Sequence, residues 1–524
     1  MMKQLFPIFF LLCALFSCQK QEERGSQEVG ISFSYTPFTA DPRKGTDPAT
    51  VQLSFMLYEG LTRVEADGKV TPALAKEIKI SKDKKSYIFT LKEAMWSDGS
   101  PLTAYHFEQA WKRVLDPSFP SRSAHLLYPL KNGARAKKGE CSTDEVGVKA
   151  IDEETLLVEL EHPVPYFLQL VSFASYFPVP YHGDEVPHPD NGGELLTNGP
   201  FMLSGWKNDD EITLIRNPYY WNANRVKLDR VRVLIIGDEE TVLRLFEQGD
   251  VDFFGGLASP LPLDAVPSLK KNGLFSEQPS TGTAFSTFNV NRYPFNNAHI
   301  RKAFAYAIHR KTIIENISQM GDDIASGPVP HTLKDVATTF FEDYKKVLAK
   351  EHLKQGLEEL GITKKEFPKV TYYYFSSKIQ KNLAAALQSY WKKVLGIEVK
   401  LQAHDLKSHM AKLKSKDFQI AQMSWVGQYY DPMSFLERFK TKDSFRNYSG
   451  WENSHYTEMI TNSYDKEGAE RLELLQEAEA LLMEEMPLIP LYHYHMTYVK
   501  NPRLKNLAIT PTGIVLFHHS YLGY

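Results

Sequence analysis

Hydrophobic positions change their period several times along this chain, and each change marks an element. Leu5 through Leu15 is almost unbroken apolar sequence behind Lys3, and a polar run, Gln19 to Gln27, comes next. A bilayer-spanning helix needs roughly 20 apolar residues, so this shorter run reads as a cleaved export signal. Tyr87, Phe89 and Leu91 alternate with Ile88, Thr90 and Lys92, which predicts a strand. Ser97-Asp98-Gly99-Ser100-Pro101 is a turn, and Thr103 is placed to cap a helix. Phe107, Ala110, Trp111 and Val114 then fall at helical spacing, and Asp116-Pro117 ends that helix. Residues 148–160 read as strand, turn, strand, and Pro163 and Pro165 then break the regular pattern. Two more strands are expected within 212–234.

The second half alternates more regularly. Ile300, Phe304 and Ile308 predict a helix, and Val370 to Phe375 a compact strand. Leu383, Leu387, Trp391 and Val394 share one helical side, and Gly396 stops that helix. Ile397, Val399 and Leu401 alternate as a strand. A short helix and a strand from Phe418 to Met423 come after it, and 469–485 closes the series as an amphipathic helix with Leu472, Leu475 and Leu482. Strands alternating with helices predict an α/β fold, a mixed or parallel sheet covered by helices. No short-period repeat points to a solenoid or propeller.

Composition narrows the classes. A chain of 524 residues exceeds one core of usual size, so two or three lobes are expected. The formal net charge of −3 offers no basic stripe for nucleic acid. Three cysteines stand at 13, 18 and 141. Leu15-Phe16-Ser17-Cys18 resembles the bacterial lipobox, in which cleavage leaves Cys18 as a lipid-modified N-terminus. Residues 1–17 would then be the signal peptide and 18–30 a flexible tether, with the mature chain anchored outside a bacterial membrane. Cys141 would have no partner in the chain, so hydrophobic burial must hold the exported fold.

Enzyme chemistry finds little support. The phosphate loop Gly-x-x-x-x-Gly-Lys-Ser/Thr, the zinc helix His-Glu-x-x-His and the Gly-x-Ser-x-Gly elbow are all missing. Cys141 has no histidine nearby in sequence, and His493, His495, His518 and His519 have no carboxylate or thiol at a matching metal-ligand spacing. No catalytic residue, metal or cofactor is therefore assigned. The aromatic load is more informative, with 7 Trp, 27 Tyr and 31 Phe. Tyr372-Tyr373-Tyr374 reads as core. Trp425-Val426-Gly427-Gln428-Tyr429-Tyr430-Asp431-Pro432 reads as a pocket wall, because it comes directly after a strand and sets an amide and an acid among flat apolar faces.

Several segments together resemble the extracellular solute-binding proteins of peptide ABC importers, the oligopeptide-binding group especially. They are Leu57-Tyr58-Glu59-Gly60-Leu61, Trp96-Ser97-Asp98-Gly99-Ser100-Pro101-Leu102-Thr103-Ala104 with Phe107, and Gly147-Val148-Lys149-Ala150-Ile151-Asp152. Pro163-Val164-Pro165-Tyr166-Phe167, Thr197-Asn198-Gly199-Pro200, Tyr220-Trp221-Asn222, Pro294-Phe295-Asn296 with Arg301, and Pro432-x-Ser434-Phe435-Leu436 continue the series in family order. The resemblance implies a periplasmic-binding-protein-like fold with two α/β lobes joined by crossing strands and an additional domain in one lobe. The implied division is 31–59, 181–289 and 497–524 for the first lobe, 60–180 for the additional domain and 290–496 for the second lobe. It also implies hinge closure over an oligopeptide and delivery to a membrane permease by a monomer with no nucleic-acid partner.

The same resemblance implies the site residues. In the oligopeptide binders a carboxylate just after the pocket tryptophan captures the ligand's α-ammonium. Here the tryptophan corresponds to Trp425, but the acid position is Gln428, and Asp431 is the nearest acid. A tyrosine common in the binding region is replaced by Ser123. Tyr430, Phe285 and Thr287 are expected wall residues, and Lys44-Gly45-Thr46-Asp47-Pro48 is expected to pair with ligand backbone, as in strand addition. Lys412, Lys414 and Lys416 are read as a solvated helix face. The altered anchor leaves open a cell-wall peptide, a metal chelate or haem as ligand, or an interaction role in the envelope.

Overall fold

The computed structural model describes residues 26–180, 186–187, 194–334, 338–444 and 446–523; the export signal and Cys18 lie outside the described residues. One long sheet runs through the molecule. In spatial order its main path is Val399–His404, Val370–Phe375, Ile420–Val426, Phe275–Phe288, Leu488–Lys500, Phe253–Gly255, Glu28–Phe33, Arg230–Ile235, Glu211–Arg216 and Phe201–Lys207. The two central strands, of 14 and 13 residues, are the crossing strands. They pair antiparallel, with register shifts between Pro279 and Thr283 and between Ala284 and Phe285. Such irregularities bend a ladder and raise its twist, so the sheet is turned where the two lobes meet.

The second lobe forms largely where the apolar period predicts. Val370–Phe375 runs parallel to both Val399–His404 and Ile420–Val426. The connecting helix Lys378–Leu395 starts on Ser377, whose side chain accepts from Gln380 N, and ends at Gly396 with φ +68°. Only a glycine takes that left-handed turn without steric cost. The helix buries Leu383, Leu387, Trp391 and Val394, the four positions read from its period. Trp391 is fully buried, and its Nε1 donates to Phe304 O at 3.0 Å.

One strand is longer than its apolar run. The alternation around 418–423 continues as Ile420–Val426, so Trp425 lies within the strand and not beyond its end. The reason is tertiary. The crossing strand offers antiparallel partners as far as Thr283 for Trp425 and Gly282 for Val426.

The additional domain carries its own four-stranded antiparallel sheet, in the order Ala75–Ile80, Ser86–Leu91, Thr155–Glu159, Val148–Ala150. Helix Ala104–Leu115 packs on it through Phe107, Ala110, Trp111 and Val114. Its cap also works in reverse, for the Thr103 N–H donates to His106 Nδ1 at 3.0 Å.

Four of the motifs that carry the family resemblance converge on a buried junction. Glu59 accepts from Tyr220 Oη at 3.0 Å, Arg63 Nη1 at 2.9 Å and Trp221 Nε1. Asn198 bonds both the N–H and the C=O of Glu59, and Gly199 N donates to Leu57 O at 2.8 Å. Ser97 and Thr197 exchange two bonds that tie the Trp-Ser-Asp-Gly turn to the same place. A buried carboxylate tolerates its loss of water only with such partners, so these residues specify the junction between additional domain and first lobe.

Candidate functional site

Gln428 stands between two cavities in the crevice where the lobes face each other. One, of about 170 Å³, is walled by Phe33, Thr46, Gln52, Phe173, Gly427 and Met496 among others. The other, of about 290 Å³, is walled by His125, Tyr128, Tyr166, Trp425, Tyr429, Glu437 and Arg438 among others. Both walls mix aromatic and aliphatic faces with a few polar groups, the composition of a small-ligand site.

The strand end fixes Trp425 and Gln428 rigidly. Trp425 Nε1 donates to Ser434 O at 2.8 Å, and Gln428 N donates to Ser434 Oγ at 3.0 Å. Gly427 N donates to Thr281 O of the crossing strand at 2.8 Å. Two guanidiniums lie over the Trp425 indole, Arg438 Cζ at 4.3 Å and Arg446 Cζ at 4.7 Å from the ring centroid. Cations are attracted to that face of the ring.

The additional domain reaches this loop directly. His125 Nε2 and Gln428 Oε1 are 3.0 Å apart. Tyr166 stacks on Tyr429 at 4.6 Å with 5° between planes, and His162 lies 4.1 Å from Tyr464. Tyr430 packs against Gly68 (φ +80°), where an added Cβ would sit 2.5 Å from the ring. The Tyr430 hydroxyl donates to Thr332 O at 2.6 Å. The additional domain thus meets this loop through ring stacking and an amide–imidazole contact.

Charges near the crevice differ in how they are compensated. Asp431, read as a candidate anchor, accepts from Arg471 Nη1 and Nη2, each at 2.8 Å, and from Met433 N. Its carboxylate is therefore occupied within the second lobe. Glu437 accepts from Tyr464 Oη at 3.0 Å and Tyr429 Oη at 3.5 Å, and burial raises its carboxyl above the usual range. Burial first, and Arg446 second, push the Arg438 guanidinium down to about 9.

His125 is lowered to about 4, chiefly by burial; the bond to Gln428 opposes the shift, and Arg446 and Arg438 add to it. A histidine depressed below its unfolded value of 6.5 holds stability above that pH and loses it as pH falls toward 4. The fall in unfolding free energy from about pH 7 to about pH 4.5 is expected to be smaller in His125→Gln. Equal slopes by urea unfolding would contradict this assignment.

The remaining expected residues scatter. Thr46 lines the smaller cavity. Asp47 does not face it as a free acid; its Oδ1 accepts from Thr50 N at 2.9 Å and caps helix Pro48–Leu57. Gly45 packs tightly on Thr50, where a Cβ would meet Cγ2 at 2.1 Å. The stretch 44–48 leads into that helix, with the Asp47 cap and Pro48 at its start. Phe285 and Thr287 are buried in the crossing strand, outside both linings, with Phe285 6.0 Å beneath Arg438. Ser123 is buried two residues before His125, and its hydroxyl has no hydrogen-bond partner among the described residues.

His493 bonds Thr283 Oγ1 at 2.9 Å and His495 bonds Asp323 at 2.8 Å. No group of three or more His, Cys, Asp or Glu among the described residues could hold a metal ion. His125, Arg438 and Arg446 carry no signal in the sequence, and Tyr166 stands out only as part of the Pro163–Phe167 motif. They lie at no periodic spacing, and only the folded chain brings 125 and 166 beside 425–446.

Residues 69–447 match the family described as bacterial extracellular solute-binding proteins, family 5 Middle. The oligopeptide-binding protein OppA of Bacillus subtilis (strain 168) is 36% identical over 511 residues, 96% of this chain and 94% of the relative. The dipeptide-binding protein DppE of the same organism is 34% identical over 514 residues, 95% and 92%. The solved structure of the Escherichia coli murein tripeptide binding protein MppA superposes with a TM-score of 0.82 at 27% identity, covering 95% of this chain and 99% of that one. The chain belongs to family 5 of the bacterial extracellular solute-binding proteins.

Proposed function

We propose that this chain captures peptides in the crevice at Trp425 and Gln428 and delivers them to the permease of an ABC importer. The observation that carries the reading is the crevice itself: it lies between the lobes, beside the paired crossing strands, and its walls come from both lobes and the additional domain. Relatives named for oligopeptides, dipeptides and a murein tripeptide support peptides of a few residues as the ligand class. Backbone groups give affinity in such sites, and roomy pockets tolerate varied side chains.

The lipobox-like ending at Cys18 supports an anchor on the outer side of a bacterial membrane, which would hold the carrier near its permease. Stable anchoring takes two acyl chains or more. Among the described residues no helix is long and apolar enough to cross a membrane. The domain division we propose is 31–59 with 181–289 and 497–524, then 60–180, then 290–496. No chemical step is assigned, and the working unit is taken as a monomer.

A ligand that binds only the folded state stabilises it by mass action, by about 2.7 kcal/mol at a hundredfold excess over Kd. A mixed tri- to pentapeptide library is expected to raise the melting temperature by several degrees, with a change in Trp425 fluorescence. No shift with any peptide pool would overturn the reading.

A further inference from the structure

We propose that the pocket beside Trp425 is a carboxylate subsite, in which Arg438, with Arg446 beside it, holds an anionic group of the bound peptide. This inference rests on the peptide-binding reading and adds the chemistry of the ligand.

Arg438 is unusual among the buried cations. Only 8% of it is exposed. Arg43 is paired with Asp41, Arg310 with Asp343 and Arg471 with Asp431. Among the described residues no carboxylate pairs with Arg438. Its Nη2 donates to Arg446 O at 3.2 Å, and its Nε has no acceptor among the described residues. A buried guanidinium without a counter-charge costs far more than a paired one. The side chain nevertheless lines the larger cavity and leans on the indole that the family resemblance makes the pocket wall. A second guanidinium, Arg446, lies over the same indole.

The acids that could neutralise this corner are engaged elsewhere. Asp431 is held by Arg471 from both oxygens. Glu437 faces the hydroxyls of Tyr464 and Tyr429. The loop's own polar group, Gln428, is neutral and meets His125, which is uncharged at neutral pH. A ligand ammonium brought to this corner would meet the two guanidiniums over the indole, while the acid in the same wall, Glu437, is turned to the Tyr464 and Tyr429 hydroxyls. A ligand carboxylate would instead supply the acceptor that Arg438 lacks, and arginine–carboxylate bonds are among the stronger hydrogen bonds available. A neutral Gln428 and an arginine without a counter-charge together favour a negative group at this corner.

The carboxylate can come from an acidic side chain or from the peptide's C-terminus, and matched peptides separate the two. Tripeptide amides of alanine carrying Glu or Gln at each position, and tri-alanine as free acid and as amide, are titrated calorimetrically against the full mature chain. At least one Glu-for-Gln or acid-for-amide exchange is expected to tighten binding about tenfold or more. In Arg438→Gln that preference is expected to collapse to within about threefold; Arg438→Lys retains part of it. Gln428→Asp, which places a fixed carboxylate at the same corner, is expected to abolish the preference too and serves if Arg438→Gln folds poorly. Equal binding of every charged and neutral pair, or a preference that survives in Arg438→Gln, overturns the subsite and leaves the peptide reading standing. Failure of the wild-type chain to bind any peptide overturns both.

Discussion

Replacing Trp425 by alanine is expected to weaken peptide binding by about a hundredfold, the largest loss of any single change in the crevice. The indole supplies the flat wall of the larger cavity, and its removal also strips Arg438 and Arg446 of the ring face they rest on. Aromatic walls of this kind bury large area at little entropic cost. Stability falls as well, by about 3 kcal/mol, because the side chain is almost fully buried and its Nε1 is bonded to Ser434 O. Trp425→Phe separates the two effects. It keeps an apolar face and loses the hydrogen bond, so most of the affinity should survive. Calorimetry on the folded fraction reads the outcome. Affinity within about threefold of wild type in Trp425→Ala would remove the indole from the site.

Breaking the Asp431–Arg471 pair is expected to give the largest loss of stability, about 3–5 kcal/mol for Asp431→Asn or Arg471→Met. Both side chains are nearly buried and meet in two parallel 2.8 Å bonds. The pair ties the loop after the Ile420–Val426 strand to helix Gly468–Glu485. Either single change strands a buried charge. The double change removes both charges and should recover part of the loss. Peptide affinity of the folded Asp431→Asn protein is expected to stay within about threefold. Unchanged stability with lost binding of free-amine peptides would instead make Asp431 the ammonium anchor.

The fold was legible where period and punctuation agree. The helix ending at Gly396 shows this: its four apolar positions, its serine cap and its glycine stop all favour one structure. The extension of the pocket strand to Val426 was not legible, because its partners are Thr283 and Gly282, more than a hundred residues away. The site was legible in part. Trp425 and Gln428 stand out as aromatic and amide groups after an apolar run, and both line the crevice. Asp431 and Asp47 both stand in candidate site segments, yet one is bonded to Arg471 and the other caps a helix. Sequence shows that an acid is present but not whether a partner has taken it. Arg438 poses the converse problem, since its significance is a missing counter-charge, which only the packed chain displays.

Native mass spectrometry of the purified chain, with denaturing release of its guests, reads out what the crevice holds. One-to-one complexes are expected, with peptides of a few residues as the released guests, and these complexes are expected to be lost in Trp425→Ala. Release of haem or a metal chelate, or peptide retention undiminished in Trp425→Ala, would contradict the peptide reading.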